Sequence, residues 1–157
     1  MMERVGPLEL AAGRGLAVGD LTGVHILLTR EEVLWCERGQ EHDAVEWDEL
    51  ATMEWIVPTR RIPLVGLADA VAATASVALD AVGIGALDTA VVRMRARTLT
   101  GEEVEWTANT HHVLGYPARD TRVVAPFLEQ LRTSPAMRAQ LATDPRATLA
   151  ELRRQRG

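Results

Sequence analysis

Apolar and polar positions alternate most regularly between residues 89 and 109, in TAVVRMRARTLTGEEVEWTAN. Val92, Met94 and Ala96 alternate with Arg93, Arg95 and Arg97, and Val104, Trp106 and Ala108 alternate with Glu103, Glu105 and Thr107. A period of two in runs flanking a turn predicts an antiparallel hairpin with one buried face. A two-residue turn at Thr100-Gly101 sets Arg97 opposite Val104 and mixes the faces. A three-residue loop, Leu99-Thr100-Gly101, instead pairs Met94 with Trp106, Ala96 with Val104, Arg95 with Glu105 and Arg97 with Glu103. The second register leaves one apolar face and one face of opposite-charge pairs, each worth about 0.2–1 kcal/mol. The last residue of such a loop adopts the left-handed conformation, which Gly101 tolerates.

The same period governs the first 57 residues. PLELAAGRGLAVGD (7–20) reads as a short strand followed by a glycine-punctuated loop or bulged strand. The runs 23–29 and 33–37 form a hairpin across Arg30-Glu31-Glu32, and a second turn over 38–43 leads into the long run 44–57. Pro58 ends that run, because proline cannot donate to a ladder. If the run stayed straight, Asp48-Glu49 would place an acid on the face carrying Trp47, so a bulge or bend there turns Leu50 inward. An apolar–Glu–Trp triplet occurs three times, at 45–47, 53–55 and 104–106. Alternation puts the indoles in the core and the glutamates outside; at Glu105, and by extension at Glu46 and Glu54, an arginine across the ladder is the expected partner.

Beyond the turn-like 115–120 the period becomes helical. Val123, Val124, Phe127, Leu128 and Leu131 form one stripe over a helix at 121–133, with Pro126 either kinking it or marking its start. Ser134-Pro135 and Asp144-Pro145 each read as an N-cap followed by proline at the first helical position, predicting helices over about 135–142 and 145–155. Residues 66–82 are ambiguous: Leu67, Val71, Ala78 and Val82 share a helical stripe, whereas TASVAL (74–79) alternates like a strand. A short meander cannot bury its inner face alone, so it must curl into a barrel or sandwich, which a following amphipathic helix can close.

This order resembles a bacterial pleckstrin-homology-like (PH-like) domain. The residues that carry the resemblance are VHILLTREEVLWC (24–36), VEWDELATMEW (45–55), the hairpin 90–109 and the helix 121–133. The fold class expected is mainly β (α+β): a partly open, seven-stranded antiparallel barrel capped by a C-terminal helix. The domain spans 1–133 with an apolar, helical insertion at about 60–88, and 134–157 is a helical extension. The resemblance implies binding or self-assembly rather than catalysis. It departs from the pattern at that insertion and at the net-acidic loop Arg30-Glu31-Glu32, where phosphoinositide-binding members carry basic loops. Phosphoinositide is therefore not an expected ligand.

Charge narrows the partners. The net charge is −5, and all 17 basic residues are arginine. Residues 1–118 hold 9 Arg against 18 acids, and 119–157 hold 8 Arg against 4. A general nucleic-acid binder needs a basic face to release counterions, so none is expected as a partner. The Arg-rich end, with Arg153 and Arg154, reads as the last turn of a helix whose dipole favours cations. The arginine bias with heavy Ala, Val and Gly use suggests a high-GC bacterial genome. A single cysteine, Cys36, excludes a disulfide framework, and MMERVGPLEL lacks a secretory apolar core; both fit a cytoplasmic protein. Asp69, Asp80 and Asp88 interrupt the apolar segment, whose longest uncharged run is the ten residues 70–79. That is about half of the ~20 needed to span a bilayer.

The candidate chemistry is sparse. The four histidines, with no second cysteine or spaced carboxylate, match no metal pattern, and no cofactor is expected. Gly13–Gly19 precedes a β-rich stretch rather than a helix, so its glycines serve turns or bulges rather than a phosphate cradle. Cys36 alternates with Trp35 as a buried, inert thiol. The expected function is a non-catalytic module for protein–protein binding or homo-oligomer assembly, with Leu67, Val71, Ala78, Val82, Arg153 and Arg154 as the candidate interface. A second reading is a small enzyme or ligand-binding barrel with a pocket near His111, His112, Tyr116 and the Gly13–Gly19 loop. A third is peripheral membrane attachment through the insertion and the Arg-rich tail.

Overall fold

The computed structural model describes residues 3–60 and 90–157. Those residues form an α+β fold: strands β1 (Arg4–Val5), β2 (Leu8–Ala11), β3 (Gly15–Val18), β4 (Val24–Leu28), β5 (Glu32–Glu37), β6 (Gln40–Glu46), β7 (Leu50–Ile56), β8 (Thr59–Arg60), β9 (Val91–Thr98), β10 (Glu103–Asn109) and β11 (Tyr116–Pro117), then helices α1 (Ala118–Thr133), α2 (Pro135–Thr143) and α3 (Pro145–Gln155). β1 to β6 make a six-stranded antiparallel meander; β10, β9 and β7 make a second antiparallel sheet, and β8 pairs in parallel with β11. Among the described residues the ladders remain three separate sheets, with no closed barrel.

The β9–β10 register is the one the alternation predicts. Met94 pairs with Trp106, Ala96 with Val104, Arg95 with Glu105 and Arg97 with Glu103. Leu99-Thr100-Gly101 is the loop, and Gly101 has φ +88°. Met94 and Trp106 are buried, while Arg97 and Glu103 lie 2.7 Å apart on the solvent side. Glu54 continues the outer row, since β7 sets it opposite Arg95. Glu46 does not: its ladder partner is Glu32, because it belongs to the other sheet.

The bend between β6 and β7 occurs as the sequence requires. Trp47–Glu49 form one 3-10 turn, after which Leu50 enters the core. Trp47 is buried, its indole N–H donating to the Thr29 carbonyl at 2.8 Å. Two connections are tighter than predicted. The β4–β5 turn is Arg30-Glu31 alone, with the Thr29 hydroxyl donating to the Glu32 carbonyl at 2.8 Å. Only Arg38-Gly39 separates β5 from β6, whose polar residues 40–43 are an exposed strand rather than a turn. Charged side chains on an edge strand protect it from further pairing.

One core joins both sheets and the helices. Leu16, Ile26 and Val33 from the first sheet meet Met94 and Trp106 from the second, Val124, Leu128 and Leu131 from α1, and Leu141, Leu149 and Leu152 from α2 and α3. Each such side chain contributes about 1.5–3 kcal/mol on burial. Ala11, Ala17, Leu27, Leu34 and Cys36 form a second buried cluster. Burial there raises the Cys36 pKa, consistent with an inert thiol.

α1 starts at Ala118, three residues before the predicted start, and runs through Pro126. Pro126 and Arg122 are both exposed, so the carbonyl that loses its donor lies on the solvent side of the helix. The two predicted N-caps are present: the Ser134 hydroxyl accepts from the Met137 N–H at 3.3 Å, and the Asp144 carboxylate accepts from the Ala147 N–H at 2.9 Å. Arg138 locks α2 to the sheets. Its buried guanidinium donates to the Leu131 and Arg132 carbonyls and to Asp48, and lies 5.7 Å from the Trp47 ring.

Candidate functional site

β10 ends at Asn109, which ties it to the β3–β4 connection. The Asn109 carbonyl accepts from the Asp20 N–H at 3.0 Å, and its side-chain oxygen accepts from the Val24 N–H at 2.7 Å. The chain then bends through 110–115. Gly115, at φ +83°, brings the backbone against Pro58, where an added Cβ would fall 2.3 Å from the Pro58 oxygen. Only glycine fits there, and the fit lets the Tyr116 N–H donate to the Pro58 carbonyl at 2.9 Å. β11 therefore lies beside β8, and α1 begins one residue after it.

This bend turns the Tyr116 side chain back beneath His111. The Tyr116 oxygen accepts from the His111 backbone N–H at 3.0 Å and lies 2.8 Å from the His111 Nδ1. On the other side of the ring, Nε2 is 2.7 Å from a Glu9 carboxylate oxygen on β2. One proton arrangement satisfies the set: the phenol donates to Nδ1, and Nε2–H donates to the carboxylate. The His111 and Glu9 side chains are 3% and 6% exposed, so the cluster is sealed.

The order hydroxyl, imidazole, carboxylate has the connectivity of a nucleophilic triad, but its chemistry points the other way. A nucleophile needs a depressed pKa or an adjacent base able to take its proton. Burial pushes the Tyr116 phenol up to about 12, and its side chain is 1% exposed. The cluster is a satisfied buried network, which holds the ends of β2, β10 and β11 together.

The cavity beside it does reach solvent. About 270 Å³ in volume, it is walled by Arg4, Arg60, His112, the edge of Tyr116 and Asp120. Burial lowers the His112 pKa, helped by the positive charges of Arg4 and Arg60, so its imidazole is neutral at pH 7. The Asp120 carboxylate, 8% exposed, accepts from Arg156 at 3.2 Å. The Gly13–Gly19 segment takes no part: Gly15–Val18 is the fully buried strand β3, because its apolar residues pair with β2 and β4.

A second opening, about 350 Å³, lies between α1, α2 and α3. Val123, Phe127, Met137 and Leu152 line it, with Gln130, Gln140 and Gln155 among its polar residues. Of the candidate interface residues, Arg153 and Arg154 are exposed on α3, Arg154 pairing with Glu151. Leu67, Val71, Ala78 and Val82 lie outside the described residues, as does the helix expected over 66–82. Among the described residues no cluster of three or more His, Cys, Asp and Glu is arranged to hold a metal, and no helix is long and apolar enough to cross a membrane.

Sequence reasoning singled out His111, His112 and Tyr116 but missed Glu9, Arg4, Arg60 and Asp120. The available signal was Glu9 itself, a lone acid between Leu8 and Leu10 in an apolar strand. Compared with protein-family models, curated proteins and solved structures, the chain gives no significant match.

Proposed function

We propose that this chain is a non-catalytic PH-like interaction module of the bacterial cytosol that binds a protein partner or a second copy of itself. The PH-like reading is supported by two antiparallel sheets that share one core, with an amphipathic helix directly after the last hairpin. The three-helix groove carries the functional part. Its lining joins apolar side chains to glutamines, Arg122 and Glu151, a mixture of apolar and polar groups suited to a protein contact. The buried Glu9, Arg138 and Asp120 each have an ion partner: Glu9 pairs with His111, Arg138 with the exposed Asp48 and Asp120 with Arg156.

Val123 and Met137 line the groove and are only partly buried, so Val123→Glu and Met137→Glu place a charge in it while sparing the core. Light scattering over a concentration series, together with affinity capture on the same variants, tests the reading. The unsubstituted chain is expected either to exceed its 17.2 kDa monomer mass or to retain a partner, and both variants are expected to lose that property. A folded monomer at every concentration, with capture unaffected by the substitutions, would remove the proposal.

A further inference from the structure

We propose that the cavity between β1, β8, β11 and the first turn of α1 is a binding site for a small phosphate- or carboxylate-bearing ligand, gripped by Arg4 and Arg60.

The arginines are unevenly paired. Eleven of them have a carboxylate within 4 Å. Arg4, Arg38, Arg60, Arg122 and Arg153 have none among the described residues, and of these Arg4 and Arg60 line the same cavity. The chain holds 22 acids against 17 arginines, so partners are not scarce in general. Neither guanidinium has a carboxylate within ion-pair distance among the described residues, and an anion held in the cavity would supply that counter-charge. The planar guanidinium fork matches carboxylate and phosphate oxygens in a bidentate way.

The remaining wall leaves both arginines available. Asp120 is the acid there, and it already accepts from Arg156, with Arg119 3.8 Å away. It therefore does not cancel Arg4 and Arg60. His112 brings a ring N–H as a further donor. α1, sixteen residues long, begins beside the cavity with Pro117 at its N-cap and no side chain capping it, so its dipole adds to the positive potential.

The size of the cavity agrees. At about 270 Å³ the space lies just below the range for drug-sized ligands, which fits inorganic phosphate or a small polycarboxylate. The site is separate from the three-helix groove and does not depend on its role.

Amide NMR spectra recorded while sodium phosphate or, in parallel, sodium citrate is added at constant ionic strength test the assignment. Saturable shifts are expected at Arg4, Gly6, His112 and Ala118, and the anion that saturates at lower concentration identifies the headgroup. Arg4→Gln with Arg60→Gln is expected to weaken binding by at least about tenfold, the scale of one lost charge-assisted hydrogen bond. Arg30→Gln, in the β4–β5 turn, is expected to leave it unchanged. If the double variant loses its dispersed spectrum, Arg60→Gln alone, at an exposed position, carries the test with a severalfold weakening. Shifts that never saturate, or equal affinity in a folded arginine variant, would overturn the site.

Discussion

The outer face of the β9–β10 hairpin and the Glu9–His111–Tyr116 cluster both bring ionisable side chains within hydrogen-bond reach, in opposite surroundings. Arg97 and Glu103 meet at 2.7 Å with 60% and 75% of their side chains exposed. His111 and Glu9 meet at the same distance with 3% and 6% exposed. Water solvates the hairpin pair whether or not it forms, so the contact adds little. The buried pair has no such alternative, and each group depends on the other for its hydrogen bonds. Equal distances therefore mean different energies.

The largest expected effect lies in the cluster. His111→Ala leaves the Glu9 carboxylate buried without its partner and is expected to cost about 3–5 kcal/mol in urea unfolding. A loss below about 1 kcal/mol would place this pair in the same class as the hairpin pairs.

Tyr116→Phe removes one hydroxyl and leaves the His111 Nδ1 and N–H without their partner, at an expected cost of about 1–3 kcal/mol. The same hydroxyl gives a pH signature. Its folded pKa, about 12, lies above the ordinary 10.0, so as pH rises past 10 the unfolded chain loses the proton first. Stability is then full below pH 10 and falls between about 10 and 12, a slope that Tyr116→Phe should reduce. Ultraviolet titration of tyrosinate in the folded protein reads the midpoint directly, since Tyr116 is the one tyrosine in the chain.

The helix caps provide an intermediate case, in which one side chain makes one local bond at the surface. Ser134→Ala and Asp144→Ala are each expected to cost about 1 kcal/mol, read as a shift in the urea midpoint at constant slope. At the low end, the Arg97–Glu103 coupling from a double-mutant cycle is expected at about 0.2–1 kcal/mol and should fall further in ~1 M salt.

The same two regions explain what could be read from the sequence. Arg97 and Glu103 are six residues apart, and one loop length together with one alternating pattern determines that they pair. The caps at Ser134 and Asp144 and the bend at Trp47 are legible for the same reason, because each is decided within a few residues. Glu9 and His111 are 102 residues apart, and their meeting depends on how the ends of two sheets come together. No periodicity encodes that. Arg60 reaches the cavity that Arg4 also lines through the β8–β11 pairing, which follows from the backbone approach at Gly115. Of the polar run 38–43 only Arg38-Gly39 is a turn; residues 40–43 are an exposed edge strand, which lacks the apolar alternation that marks a strand.

Burial, rather than distance, makes the Glu9–His111 contact a structural tie. A double-mutant cycle with Glu9→Gln and His111→Gln, measured by urea unfolding beside the Arg97–Glu103 cycle, separates the two. The buried pair is expected to show a coupling above about 1.5 kcal/mol, well beyond the hairpin value. Equal couplings for the two pairs would mean that burial adds nothing to the contact.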